Sequence, residues 1–170
     1  FITLSNSTSL YGALRSGKVD VLLSSSINDD HHRSLTKLSK KGIFKEGQGS
    51  AMEIGYITLK SNSFPLDNTL IRKALSYSIY RKLISKRVSY GLREPLRALV
   101  PPSLKIKNNN PWPIYNPEIA KGLFKEEGYC NNKKLEIPLT FRTNVPADKL
   151  LALTWQAQIE RDLSNCLELT

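Results

Sequence analysis

Residues 61–86 read Ser-Asn-Ser-Phe-Pro-Leu-Asp-Asn-Thr-Leu-Ile-Arg-Lys-Ala-Leu-Ser-Tyr-Ser-Ile-Tyr-Arg-Lys-Leu-Ile-Ser-Lys, and the fold turns on how this stretch is read. Pro65 cannot extend a helix backwards, and Asp67 is placed to accept hydrogen bonds from the free N–H groups of a helix that starts just after it. Ile71, Ala74, Leu75, Ser78, Ile79 and Leu83 recur at three- and four-residue steps, which makes one stripe for a core. Arg72, Lys73, Arg81 and Lys82 fall mostly off that stripe. Just upstream, residues 51–60 read as a strand, with Met52, Ile54 and Tyr56 on one face and Ile57 and Leu59 on the other. Apolar on both sides, it should be central and covered on both faces. The unit is thus expected to be strand, Pro-containing turn and one long amphipathic helix.

Working upstream, residues 7–15 form a short helix with Ser7 or Thr8 as cap, Leu10, Ala13 and Leu14 inward and Gly17 as the left-handed stop. Residues 19–23 (Val-Asp-Val-Leu-Leu) read as a short buried strand. A second helix spans 29–40, capped by Asp29 or Asp30, with Leu35 and Leu38 inward and Gly42 at its end. Residues 43–46 look like an edge strand, and Gly47-Gln48-Gly49-Ser50 is a flexible crossover. Downstream, Val100-Pro101-Pro102 sets an extended connector. Trp112 is either a lid on the core or a cleft residue. Asn116 caps a helix that has Pro117 first, Glu118 at its positive end, Ala120, Leu123 and Phe124 inward and Gly128 as its stop. Leu135, Ile137, Leu139 and Phe141 alternate with polar residues and Pro138, which makes a half-buried strand near a sheet edge. Pro146 opens a last helix with Leu151, Trp155, Ile159 and Leu163 on one face, and a final strand begins at Cys166. The expected class is α/β or α+β: a mixed β-sheet with helices packed on it.

At 170 residues the chain can bury a real core, and 40% hydrophobic residues is ordinary for a globular protein. No apolar run approaches the roughly 20 residues that cross a bilayer. Residue 1 is Phe and no signal-peptide pattern is present, so the expectation is an excised piece of a longer protein. The chain carries 25 Lys and Arg against 15 Asp and Glu, a net charge of +10. Ten of those cations, against the single acid Glu94, fall between Asn68 and Lys107. Such a face attracts anions at long range, or is a solvated face balanced by acidic surface elsewhere. Two cysteines, Cys130 and Cys166, imply no disulfide framework; they could pair or be two buried thiols. Adjacent on a helix, His31 and His32 point about 100° apart and cannot share a metal, so no metal site is expected. Asp29 and Asp30 read as cap residues rather than as acid and base. No Gly-x-Ser-x-Gly element, phosphate loop or dinucleotide fingerprint occurs. The chain therefore reads as having no catalytic residues, no cofactor and no enzymatic activity.

Three stretches carry a resemblance. Pro65-Leu66-Asp67 and Arg72-Lys73-Ala74-Leu75-Ser76-Tyr77-Ser78-Ile79-Tyr80-Arg81 are similar to the Pro-Phe/Leu-Asp turn and Arg-x-Ala-Leu-Ser-Tyr-Ala-Ile-Asp-Arg helix of the extracytoplasmic solute-binding proteins of ABC importers, the oligopeptide- and dipeptide-binding family 5. Leu14 to Val21 resembles that family's Leu-x-Ser-Gly-Glu-Val-Asp element, and Tyr115 to Tyr129 its Tyr-Asp/Asn-Pro-Glu-x-Ala-Lys-x-Leu-Leu-x-Glu-Ala-Gly-Tyr helix. Tyr80 stands where the family usually has Asp. The resemblance covers nearly the whole chain. It implies one lobe of a periplasmic-binding-protein-like (type II) fold, with residues 1–46 leading from the first lobe, a hinge at Gly47, Gln48, Gly49 and Ser50, and residues 51–170 in a second lobe truncated at its C-terminus. It implies capture of an oligopeptide or related small solute between two closing lobes, delivery to ABC permease subunits, and an extracytoplasmic location with membrane contact only through the transporter. Ser24, Ser25, Ser26 and Asn28, following the strand expected at 19–23, are the candidate ligand-binding groups, since hydroxyls and amides can bond a peptide backbone at small desolvation cost. The family's acidic partner of a peptide amino terminus lies further downstream, so the chain alone is expected not to bind tightly. In this region members rarely depend on a disulfide, which favours free thiols. Two other readings are a ligand-sensing domain of a transcription regulator derived from this family and a basic nucleic-acid-binding domain. Nucleic acid is not the expected partner, because aromatics are not interleaved with the basic residues.

Overall fold

The computed structural model describes residues 4, 6–23, 26–47, 49, 54–104, 111–143 and 145–170, except for the side chains of residues 102 and 146. The chain divides into two compact units, residues 1–49 and 50–170.

In the first unit, α1 (Ser7–Arg15) is capped by Asn6, whose side chain accepts from the Ser9 N–H at 2.8 Å; the cap thus lies one residue before the expected Ser7 or Thr8. Gly17 at φ +72° follows, a backbone state that only glycine adopts cheaply. The second helix, α2 (Asp29–Lys40), is capped by Asn28 rather than by Asp29 or Asp30, which sit in its first turn where their charge meets the positive helix end. Leu35 and Leu38 are half-buried. The strands expected at 19–23 and 43–46 do not form. Val21, Leu23 and Ile43 are 81%, 70% and 60% exposed, and no described segment supplies the neighbouring N–H and C=O groups that would hold a strand there.

Among the described residues, the second unit is built on four α-helices and a two-stranded parallel sheet. The expected long helix is two: α3 (Thr69–Ser78) and α4 (Arg81–Ser89). Asn68, not Asp67, caps α3, accepting from the Leu70 N–H at 2.7 Å. The break at Ile79 and Tyr80 has a distant cause. Gln158, 2% exposed on α6 (Pro146–Leu163), accepts from the Tyr80 N–H at 3.0 Å and donates to the Tyr80 carbonyl at 3.4 Å. The Tyr80 N–H is thereby diverted from the ladder a continuous helix would need, while the Tyr80 carbonyl also accepts from the Leu83 and Ile84 N–H groups of α4. Residues 54–60 are not a strand: Ile57 and Leu59 pack on the core, while Tyr56 is 67% exposed, so one face is covered rather than two. Pro102–Leu104 is a turn of 3₁₀ helix rather than an extended connector. As expected, α5 (Pro117–Glu126) is capped by Asn116, which accepts from the Ile119 N–H at 3.1 Å, and Gly128 at φ +82° follows it.

Strands β1 (Leu135–Ile137) and β2 (Leu167–Leu169) pair in parallel, Leu135 opposite Leu167. The core is the meeting of Ile71, Ala74 and Leu75 of α3, Ala120 and Phe124 of α5, Trp155, Ile159 and Leu163 of α6, and the inward faces of both strands. The Trp155 indole N–H donates to the Ser78 hydroxyl at 3.2 Å, so the polar edge of the largest buried ring is satisfied. Contrary to the reading as free thiols, Cys130 and Cys166 form a disulfide that ties the turn after α5 to the start of β2. Both cysteines are buried side by side in the core, which the chain's spacing of 36 residues does not reveal.

Candidate ligand-binding site

Within the second unit, α3, the start of α5 and residues 111–116 border an open concavity of about 690 Å³. Its lining includes the cations Lys73 and Arg97, the rings of Tyr77, Trp112 and Tyr115, and the apolar Ile119. No carboxylate is among the described residues that line it. The size lies in the range of small-molecule sites.

The wall is held by backbone and cation contacts. The Trp112 N–H donates to the Arg97 carbonyl at 2.8 Å, and Arg97 Nε returns a bond to the Trp112 carbonyl at 2.6 Å. Arg81 donates to the Pro113 carbonyl at 2.9 Å and lies 5.9 Å from the centre of the Trp112 ring. Burial, then the neighbouring Arg97 charge, pushes the Arg81 guanidinium below its usual range. Trp112, 37% exposed, is a cavity-lining residue and not a core lid.

Behind Tyr115 stands an ionic anchor. Arg161 grips Asp162 with two N–H groups at 2.6 and 2.7 Å, the Tyr115 hydroxyl donates to Asp162 at 2.5 Å, and Arg161 donates to that hydroxyl at 2.8 Å. The Arg161 hydrogen bonds hold the Asp162 carboxyl below the usual carboxylate range, against its partial burial. Burial and the Asp162 bond raise Tyr115 above an ordinary phenol, with Arg161 opposing. Tyr80 stacks on Tyr115 at 4.7 Å and 14°. It occupies the N-cap position of α4 with no side-chain cap bond, the place where the family's Asp would reach the free helix N–H groups. Tyrosine thus exchanges a cap for a stack.

Of the sequence-derived site residues, the described Ser26, Asn28, Gly47 and Gly49 belong to the first unit and are not among the residues that line this concavity. Ser24 and Ser25 fall outside the described residues, as do Gln48 and Ser50 of the expected hinge. Ser26 is exposed. Asn28 uses its side-chain oxygen to cap α2 by accepting from the His31 N–H at 2.8 Å, while its own N–H donates to Ser7 Oγ at 3.0 Å. His31 bonds Ser7 at 3.0 Å and stacks on Tyr11 at 4.4 Å, whereas His32 pairs with Glu46 at 3.2 Å; the two imidazoles serve separate contacts. Gly47 and Gly49 lie in neither helix nor strand. Sequence reasoning missed Tyr115, Asp162 and Arg161 as a group, because 47 residues separate the phenol from its carboxylate. Trp112 beside two prolines was the available signal.

Residues 1–162 match the model of the bacterial extracellular solute-binding proteins, family 5, middle region, and the chain belongs to that family. The glutathione-binding protein GsiB of Escherichia coli K12 is 34% identical over 102 residues, covering 59% of this chain and 20% of that protein. Heme-binding protein A of Haemophilus influenzae is 27% identical over 151 residues, covering 86% of this chain and 26% of that protein. The crystal structure of a periplasmic oligopeptide-binding protein of Borrelia burgdorferi superposes with a TM-score of 0.68 at 23% identity, over 99% of this chain and 33% of that one. The fold is therefore that of a part of a type II periplasmic binding protein, and the chain spans a fifth to a third of the length of these relatives.

Proposed function

We propose that the chain supplies part of the substrate-binding component of an ABC importer, outside the cytoplasm, which captures a peptide or related small solute and presents it to permease subunits without altering it. The family match over residues 1–162 carries this reading. The division into residues 1–46, a hinge at 47–50 and a second-lobe piece at 51–170 belongs to the same proposal. So does solute recognition by Ser24, Ser25, Ser26 and Asn28. The concavity adds a chemical preference. Glutathione, haem and peptides, the ligands named for similar proteins, all carry carboxylates. Lys73 and Arg97 beside aromatic rings suit a carboxylate attached to an apolar or planar body.

Isothermal titration of the full-length protein with short peptides, glutathione and haem tests the reading. Binding of at least one of these is expected, weakened about tenfold by Lys73→Ala and by amidation of the ligand carboxylate. No binding of any of them by correctly folded protein would refute solute capture. Equal affinity for acid and amide would refute the carboxylate site.

A further inference from the structure

We propose that the outer face of α4 and the turn after it form a seat for an anionic lipid surface. The inference rests on the reading of the chain as part of a protein that works at a membrane. The structure separates two kinds of cation in the basic stretch. Arg72 is spent on the Leu66 and Asp67 carbonyls, Arg81 on Pro113 and Trp112, and Arg97 on Trp112. Arg93 lies close enough to Asp148 to lower that carboxyl's proton affinity. Lys82, Lys86 and Arg87 are different. All three are exposed on α4, and among the described residues no hydrogen bond or ion pair engages them.

Lys86 and Arg87 sit in the last turn of α4, where positive charge suits the helix dipole, but the first turn and the spacing of the lysines work against the helix. Four of the nine residues of α4 are basic and none is acidic. Arg81 and Lys82 sit at the positive end of the helix dipole, without a side-chain cap on that end. Lys82 and Lys86 are a like-charge pair four residues apart. A merely solvated face is usually mixed in sign; here Glu94 is the acid closest in sequence. An external layer of negative charge removes each of these penalties.

The apolar neighbours match a lipid headgroup region. Tyr90 and Leu92, each 46% exposed, project just beyond the cations. Tyr90 holds φ +53°, a left-handed position where glycine or asparagine is the easier choice. Long cationic stems, one amphipathic ring and a leucine together are the composition of interfacial segments. A nucleic-acid groove would instead interleave several rings with the cations.

The test is co-sedimentation of the full-length protein with vesicles of 70:30 phosphatidylcholine and phosphatidylglycerol, with pure phosphatidylcholine as reference. Two triple variants carry the same net charge: Lys82→Glu, Lys86→Glu, Arg87→Glu, and the control Lys60→Glu, Lys125→Glu, Lys149→Glu, all exposed positions. Circular dichroism and melting curves confirm that both fold. Each surface cation contributes about fivefold at low salt, so the α4 triple should lose on the order of 100-fold or more in partitioning. The control should lose less than about tenfold, and 0.5 M salt should abolish binding, since the screening length falls to about 4 Å. Equal losses in the two triples would reduce the effect to net charge and overturn the proposal. So would absence of vesicle binding, or tighter binding to duplex DNA that is lost in the α4 triple. Solute titration of the same variants separates the two proposals. Solute binding with no vesicle binding sinks only the membrane seat.

Discussion

Gln158 is the residue through which the helix break can be tested. It is buried to 2% exposure, and its amide meets both backbone groups of Tyr80, at 3.0 and 3.4 Å. Gln158→Leu keeps the volume and removes both bonds. The Tyr80 N–H is then unpaired, whereas its carbonyl still accepts from the Leu83 and Ile84 N–H groups at 3.0 and 3.1 Å, so roughly 1–3 kcal/mol should be lost. At roughly 3–4 °C per kcal/mol the melting midpoint should fall by about 3–12 °C. Trp112 and Trp155 both lie in the second unit, so tryptophan fluorescence during urea unfolding reads that unit directly. Gln156→Leu is the control: its amide donates to Leu169 at 2.7 Å from an exposed position, and its loss should cost less than about 1 kcal/mol. Amide exchange supplies a local readout, because the Tyr80 N–H should be protected in the parent and exchange faster in Gln158→Leu. Gln158→Glu sharpens the sign. Its acceptor survives, but a buried carboxylate has a raised pKa, so this variant should gain stability as the pH falls and the carboxyl becomes a donor to Tyr80. If Gln158→Leu unfolds within 0.5 kcal/mol of the parent, or no differently from Gln156→Leu, the clamp is not what breaks the helix.

Three further outcomes follow from the same structure. Reducing Cys130–Cys166, which closes a separation of 36 residues, should lower stability by about 4 kcal/mol on loop entropy, and thiol titration of the native oxidised protein should find no free thiol. Asp162 has a folded pKa below its unfolded value, so its stabilisation is present above about pH 4 and disappears as pH falls through the folded value; Tyr115 is raised, so its contribution is full below about pH 10 and is lost above it. Asp162→Asn should therefore flatten the acid limb of the stability–pH curve and Tyr115→Phe the alkaline limb, and unchanged limbs would refute the anchor. Tyr80→Asp should be more stable than Tyr80→Ala by about 1 kcal/mol, since aspartate can cap α4 where alanine cannot; equal stabilities in chemical denaturation would remove the N-cap assignment.

What could be read from the chain, and what could not, divides by the distance over which each feature is encoded. Asn116-Pro117-Glu118 and Gly128 state both ends of α5 within one helical turn of each end, because capping and left-handed turns are settled by neighbouring atoms. Even the misplaced caps, Asp67 for Asn68 and Asp29 or Asp30 for Asn28, miss by one or two residues, since neighbouring Asx side chains compete for the same N–H groups. Strands are another matter. Of the strand read over 135–141, only residues 135–137 form one, where β2 lies within the chain to pair with them; residues 19–23 carry a strand's composition without a described partner, and composition alone forms no ladder. The break at Tyr80 could not be seen from residues 61–86 at all. Local periodicity favours continuity through Ile79 to Leu83, and a single amide 78 residues away overrides it. The concavity depends on the same override. Ending α3 at Ser78 frees Tyr80 to lie against Tyr115, and Tyr115 is fixed in turn by Asp162, four residues beyond Gln158 on the same helix. One turn of α6 therefore sets both the helix break and the back wall of the candidate site. Tyr80 leaves the first turn of α4 without a side-chain cap, and its stack on Tyr115 ties that helix start to the back wall instead.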